Sequence, residues 1–167
     1  MRNPGVNPYN LQVGSTLLIC PGGNTNTGWD SEMELNQKLR RLWEQFSYWM
    51  RMYILSVGKD DEDGAQVRER LEKIPIEMGT VFADYYPPEI ADRLRQKLVE
   101  FTNGMMRLVS LVKEGKTEET DRLDVELEQD VVSLAEILSN MNINFDKESL
   151  ERELGEYLML TKREIVA

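Results

Sequence analysis

The chain has 167 residues and a formal net charge of −10, from 30 acidic and 20 basic side chains, a length that fits one globular domain plus an appendage. The acidic balance excludes a nucleic-acid binder, whose polyanionic partner needs a basic face, and disfavours docking on an anionic membrane. No apolar run approaches the ~20 residues of a bilayer-crossing helix. Histidine is absent and Cys20 is the single cysteine. That removes the usual general base, the commonest metal ligand and any internal disulfide, and no pattern in the chain asks for a cofactor.

Residues 1–34 read as an arm followed by a linker. Asn3-Pro4-Gly5 and Asn7-Pro8 are turn formers, and Pro8 stands at the first position of a short helix capped by Asn7 and running over Tyr9, Asn10 and Leu11. Val13-Gly14 breaks into a strand over residues 15–20, rich in β-formers and stopped by Pro21. This apolar run is too short for a signal peptide and lacks its basic flank and cleavage site. Residues 22–28 have the composition of a flexible linker, expected to reach residue 34.

The order NPGVNPYNLQVGSTLLICP resembles the second half of a LysM domain, the small βααβ module that binds N-acetylglucosamine polymers such as peptidoglycan and chitin. Asn3-Pro4, Asn7-Pro8, Leu11, Val13-Gly14 and the closing apolar strand carry the resemblance, which covers residues 2–21. It implies the second helix, the turn after it and the second strand of that module, with Asn7, Pro8, Tyr9, Asn10 and Leu11 on the half of the glycan groove this segment supplies. The module's first strand, its glycine-aspartate-threonine turn and its first helix have no counterpart. The segment is therefore expected to be the remainder of a longer LysM-bearing parent. About 20 residues are too few for a core of their own, and a lost strand leaves an unpaired edge.

Residues 35–167 read as a helical bundle. Leu35, Leu39, Leu42, Phe46, Trp49 and Tyr53 recur at spacings of three and four, with Trp43, Met50, Ile54 and Val57 beside them. That stripe is too broad for a two-stranded coiled coil and suits a bundle interior. After a polar turn at 58–64, the pattern predicts a second helix over 65–86, with Val67, Leu71, Ile74, Met78, Val81 and Phe82 inward and a kink or break before Pro75. Pro87-Pro88 ends it. A third helix spans about 89–114 on Ile90, Leu94, Leu98, Phe101, Met105, Leu108 and Val112, and Gly115 stops it. Thr117, with Thr120 or Glu119 nearby, caps a fourth carrying Leu123, Leu127, Val131, Leu134 and Leu138. Asp146 caps a fifth carrying Leu150, Leu154, Tyr157, Leu158 and Ile165. Short connections make neighbours antiparallel, so the expected fold is all-α, an antiparallel bundle of four to five helices behind a LysM-like helix-strand arm.

Leu42-Trp43-Glu44-Gln45, Trp49 with Arg51, Pro75 with Gly79, Tyr85-Tyr86, Leu108-Val109 with Lys113, Gly115 and Leu160-Thr161-Lys162 give this part a second resemblance, to an uncharacterised helical family of spore-forming bacteria. The resemblance implies histidine where this chain has Phe46, Phe101 and Tyr157, and a further helix beyond Lys162. It carries architecture and no mechanism.

Glutamates 44, 77, 100 and 126 lack the histidine partners of a di-metal carboxylate site and read as solvated. The nine methionines read as core filler rather than thioether ligands for copper. Cys20 has no base beside it. The candidate pocket is Trp49, Arg51, Glu77, Tyr85 and Tyr86, where a half-buried Arg51–Glu77 pair with tyrosine donors makes a polar niche. The expected function is non-enzymatic: a spore- or envelope-associated binding or structural protein, its parent attached to glycan, its bundle packing against a second copy or partner helices through an uncovered seam. The alternative is a cytoplasmic enzyme or small-molecule sensor using the Arg51/Glu77 pocket.

Overall fold

The structure, a computed structural model, describes residues 28–57, 62–142 and 144–166. The helix-strand arm, with Asn7, Pro8, Tyr9, Asn10, Leu11 and Cys20, lies outside the described residues. Within them the chain forms five helices and no strand: α1 Gly28–Ser56, α2 Glu62–Ala83, α3 Pro88–Lys113, α4 Thr117–Met141 and α5 Lys147–Val166. The all-α expectation holds.

Amphipathic stripes account for the packing. Leu42, Phe46, Met50, Tyr53 and Ile54 of α1 are buried, as are Val67, Leu71, Ile74, Met78 and Phe82 of α2. In α3 the expected Leu94, Phe101, Met105 and Leu108 are joined in the core by Ala91, Met106, Val109 and Leu111. Ile90, expected inside, is exposed, because Ala91 rather than Ile90 occupies the inward position of the first turn. The expected Leu123, Leu127, Val131 and Leu134 of α4 are buried.

Each helix packs against the next in sequence, and the short connections force antiparallel neighbours. α5 returns alongside α1 in parallel: Trp43 meets Tyr157 and, about two turns on, Arg51 meets Glu164. Among the described residues the backbones of α1 and α4 do not approach closely, and α5 packs against both.

Several boundaries differ from expectation for local reasons. α1 starts at Gly28 rather than Leu35, so residues 28–34 are helix instead of linker; a Trp-Asp-Ser-Glu-Met-Glu run suits a first turn, where acidic residues oppose the helix dipole. α2 runs unbroken through the buried Pro75. The hydrogen bond lost there is outweighed by tertiary packing along the whole helix. Thr117 is not a cap: the N-cap of α4 is Lys116, without a side-chain bond, and Thr120 Oγ1 instead donates to the Lys116 carbonyl at 2.8 Å. Gly115 behaves as read. At φ 71° it sits in the left-handed region, with its N–H on the Val112 carbonyl and that of Lys116 on Leu111, the double bond of a Schellman stop. Asp146 caps α5 by accepting the Ser149 N–H at 2.8 Å, and the Ser149 hydroxyl together with that N–H holds its carboxyl below the usual range. No helix of the described residues is long and apolar enough to cross a membrane.

Candidate functional site

The expected polar niche does not form. Arg51 is largely exposed and pairs with Glu164 of α5 at 3.0 Å. Glu77 is held by Arg70 of its own helix through two bonds of 2.5 and 3.1 Å, and Arg70 also donates to Gln45. The Arg70–Gln45 contact fixes the α1/α2 register. It puts Glu77 level with Lys38 of α1, roughly 20 Å along the axis from Arg51 at 1.5 Å per residue. Pairing them needs a break at Pro75 that turns Glu77 inward; α2 runs through Pro75 as helix, and antiparallel packing separates the two.

The other members of that cluster scatter too. Trp49 is half-buried with its ring edge-on to Tyr48 at 5.5 Å. Tyr85 lies under the Lys38 ammonium, 5.8 Å from the ring centre, and Tyr86 packs on Phe82. Of the four glutamates, Glu100 pairs with Lys97, which also bridges to Asp130 of α4 at 3.1 Å, while Glu44 and Glu126 are exposed. Among the described residues no group of three or more acidic or cysteine side chains is placed to hold a metal ion.

What the structure does assemble is an apolar cleft of about 410 Å³ at one end of the bundle. It opens where α1, α3 and α5 begin and α2 and α4 end. Leu39 and Trp43 of α1, Met78 and Phe82 of α2, and Leu94 and Leu98 of α3 form one side. Leu134 and Leu138 of α4, Phe145 of the α4–α5 connection, and Leu150, Leu154 and Tyr157 of α5 form the other. Only Asn36, Arg40 and Glu153 bring polar groups to it.

The cleft exists because α5 is seated unevenly. Its buried residues, Leu158, Thr161 and Ile165, all lie in its second half, where Lys162 also pairs with Asp124 of α4. In its first half Leu150 and Leu154 stay half-buried. With the backbones of α1 and α4 held apart, the space under that half is left open.

Aromatic rings floor the cleft. Trp43 stacks on Phe46 at 5.6 Å, and Tyr157 lies 5.1 Å from Trp43 and 5.9 Å from Phe46. Beneath them is a void of about 10 Å³ bounded by Phe46, Phe101, Pro75 and Thr102. Phe46 and Phe101, far apart in the sequence, both bound this void, and Tyr157 reaches it only through its ring contact with Phe46. The Thr102 hydroxyl is spent on the Leu98 carbonyl at 2.7 Å, so the floor is apolar. Loss of hydration pushes the Tyr157 hydroxyl up to about 12, against the opposing pull of hydrogen bonds with Thr161 and Ser47.

Such a surface offers desolvation and shape to a ligand rather than proton transfer. Leu39, Trp43, Leu98, Leu138, Leu150 and Leu154 had all been read as core. Their half-buried state, which marks them as cleft wall, is invisible in a periodicity. Arg40 and Glu153 sit beside seam leucines and carry no sequence signal of their own. Compared with protein-family models, with curated proteins and with solved structures, the chain matches none.

Proposed function

We propose that this chain is a non-enzymatic binding protein of the spore or cell envelope. Its bundle presents the apolar cleft as a binding surface, and residues 2–21 belong to a LysM-type module through which a longer parent attaches to peptidoglycan or chitin. The observation that carries the binding role is the cleft itself. Five helices converge on one concave surface whose walls are leucine, methionine and aromatic rings, with polar groups confined to the mouth. Its volume falls within the ~300–1,000 Å³ typical of small-molecule sites. A second reading, a cytoplasmic small-molecule sensor, draws on the same cleft rather than on Arg51 and Glu77.

Titration with an apolar fluorophore such as phenylnaphthylamine tests the shared element. Saturable, one-to-one enhancement that disappears when Leu138→Trp fills the cleft, with the melting transition retained, supports a binding site; enhancement that never saturates overturns it. Pelleting of the chain and of its longer parent with insoluble peptidoglycan or chitin separates the two settings. Binding by the parent alone supports the envelope reading. Indifference of both, together with a ligand-induced rise in melting temperature, supports the sensor.

A further inference from the structure

The mouth of the cleft specifies more than hydrophobicity. Arg40 offers hydrogen-bond donors only, Glu153 acceptors only, and the Asn36 amide both. None of these three rim side chains has a hydrogen-bond or ion-pair partner among the described residues. Charges close by are paired within their own helices: Lys38, two residues from Arg40, pairs with Glu34 at 2.9 Å, and Lys147 reaches Glu151 at 3.7 Å. The rim thus holds one free cation, one free anion and one free amide around an opening whose interior is apolar.

From this juxtaposition we propose that the cleft binds a dispersed single-chain amphiphile, its tail along Leu39, Trp43, Leu98 and Leu154 and its head, neutral and bearing both donors and acceptors, between Arg40 and Glu153. The proposal rests on reading the cleft as a binding site and adds the ligand's chemical class. An anionic head would gain from Arg40 but meet Glu153 at the same mouth, and a cationic head would face the reverse; like charges brought together are costly. An ester, amide or polyol head gives Arg40 a carbonyl oxygen and Glu153 a hydroxyl or N–H, leaving no charge opposed. The tail ends against Trp43 and Tyr157, and the neighbouring void of about 10 Å³, which shares Trp43 with the cleft, is no larger than one water. A medium-length chain fits such a blind end, and a bilayer surface does not.

The test is calorimetric titration of the full chain with three probes sharing a ten-carbon tail: decanoate, decyltrimethylammonium and monodecanoylglycerol, each below its micellar threshold. Monodecanoylglycerol is expected to bind one-to-one and about tenfold more tightly than either charged probe, the scale of one opposed or unpaired polar group. Glu153→Gln should raise decanoate affinity to near that of the neutral probe, and Arg40→Gln should do the same for the ammonium. Both exposed-site variants should keep the parent melting transition.

Equal affinity for all three probes, or preference for a charged one that neither variant alters, overturns the head-group assignment while leaving the cleft a binding site. If neither these probes nor the fluorophore binds saturably, both readings fall. If Leu17→Asp with Leu18→Asp raises the affinity of all three probes alike, the cleft's occupant is the chain's own apolar segment, which also overturns the proposal.

Discussion

A Cβ added to Gly79 would lie 2.4 Å from the Arg95 Cβ and 2.6 Å from its Cγ, so this glycine is what lets α2 lie against α3. Gly79→Ala must push the helices apart. Overpacking of that kind costs about 1–3 kcal/mol, which exceeds the ~1 kcal/mol that alanine gains in helix propensity. Gly155 is the opposite case, since a Cβ there meets nothing within 4 Å. Gly155→Ala should therefore stabilise by up to about 1 kcal/mol, and urea unfolding of the two variants should move the midpoint in opposite directions. Tyr157 gives a residue-scale prediction in pH. Its hydroxyl is raised from 10.0 to about 12 in the folded chain. Below pH 10 both states keep the proton and the site adds no pH dependence. Between pH 10 and 12 the unfolded chain ionises while the folded chain resists, so stability falls, by an order of 2 kcal/mol across the window. Tyr157→Phe should flatten this alkaline loss relative to the parent, at a neutral-pH cost of about 1 kcal/mol for the missing hydroxyl bonds. Alkaline urea melts of the pair read both effects.

Among the helices, α5 is the one held least. It buries Leu158, Thr161 and Ile165, all in its second half, whereas α3 buries nine residues along its length. Amide exchange should therefore run fastest in the first half of α5 and slowest in the middle of α3, because local opening tracks buried apolar contact. Leu158→Ala removes a fully packed side chain from the stretch that anchors α5. It should cost about 2–5 kcal/mol and bring exchange in the whole of α5 up to the rate of its first half. The exposed Arg51–Glu164 pair, by contrast, contributes little to holding α5, as ion pairs in water generally do. A sequence stripe gives each helix its inward face, but Leu39, Trp43, Leu98 and Leu138 on those stripes stay half-buried because they line the cleft. Leu150 is half-buried for the same reason, and Ile90 is exposed because Ala91 takes the inward position of its turn.

Taken whole, the molecule is an acidic bundle whose −10 net charge is spread over outer faces already laced with ion pairs between near neighbours. Those pairs are weakened by salt, but so is the larger repulsion among unpaired carboxylates. The melting temperature should rise from low to physiological ionic strength, where the Debye length shrinks to about 8 Å; thermal melts at graded salt check the sign. The sequence alone determined the helical class, the antiparallel order, the glycine stop at 115 and the cap at Asp146. These follow from periodicity and turn chemistry, which act within a few residues. Only the tertiary structure decided that Arg51 and Glu77 lie far apart, that the backbones of α1 and α4 stay apart, and that the first half of α5 is left half-buried along the cleft. Those outcomes depend on helix register and on how five faces share one interior, and no single stretch of the chain encodes either. The cleft, the feature on which the function is argued, is a space between helices, so it exists only once all five are in place.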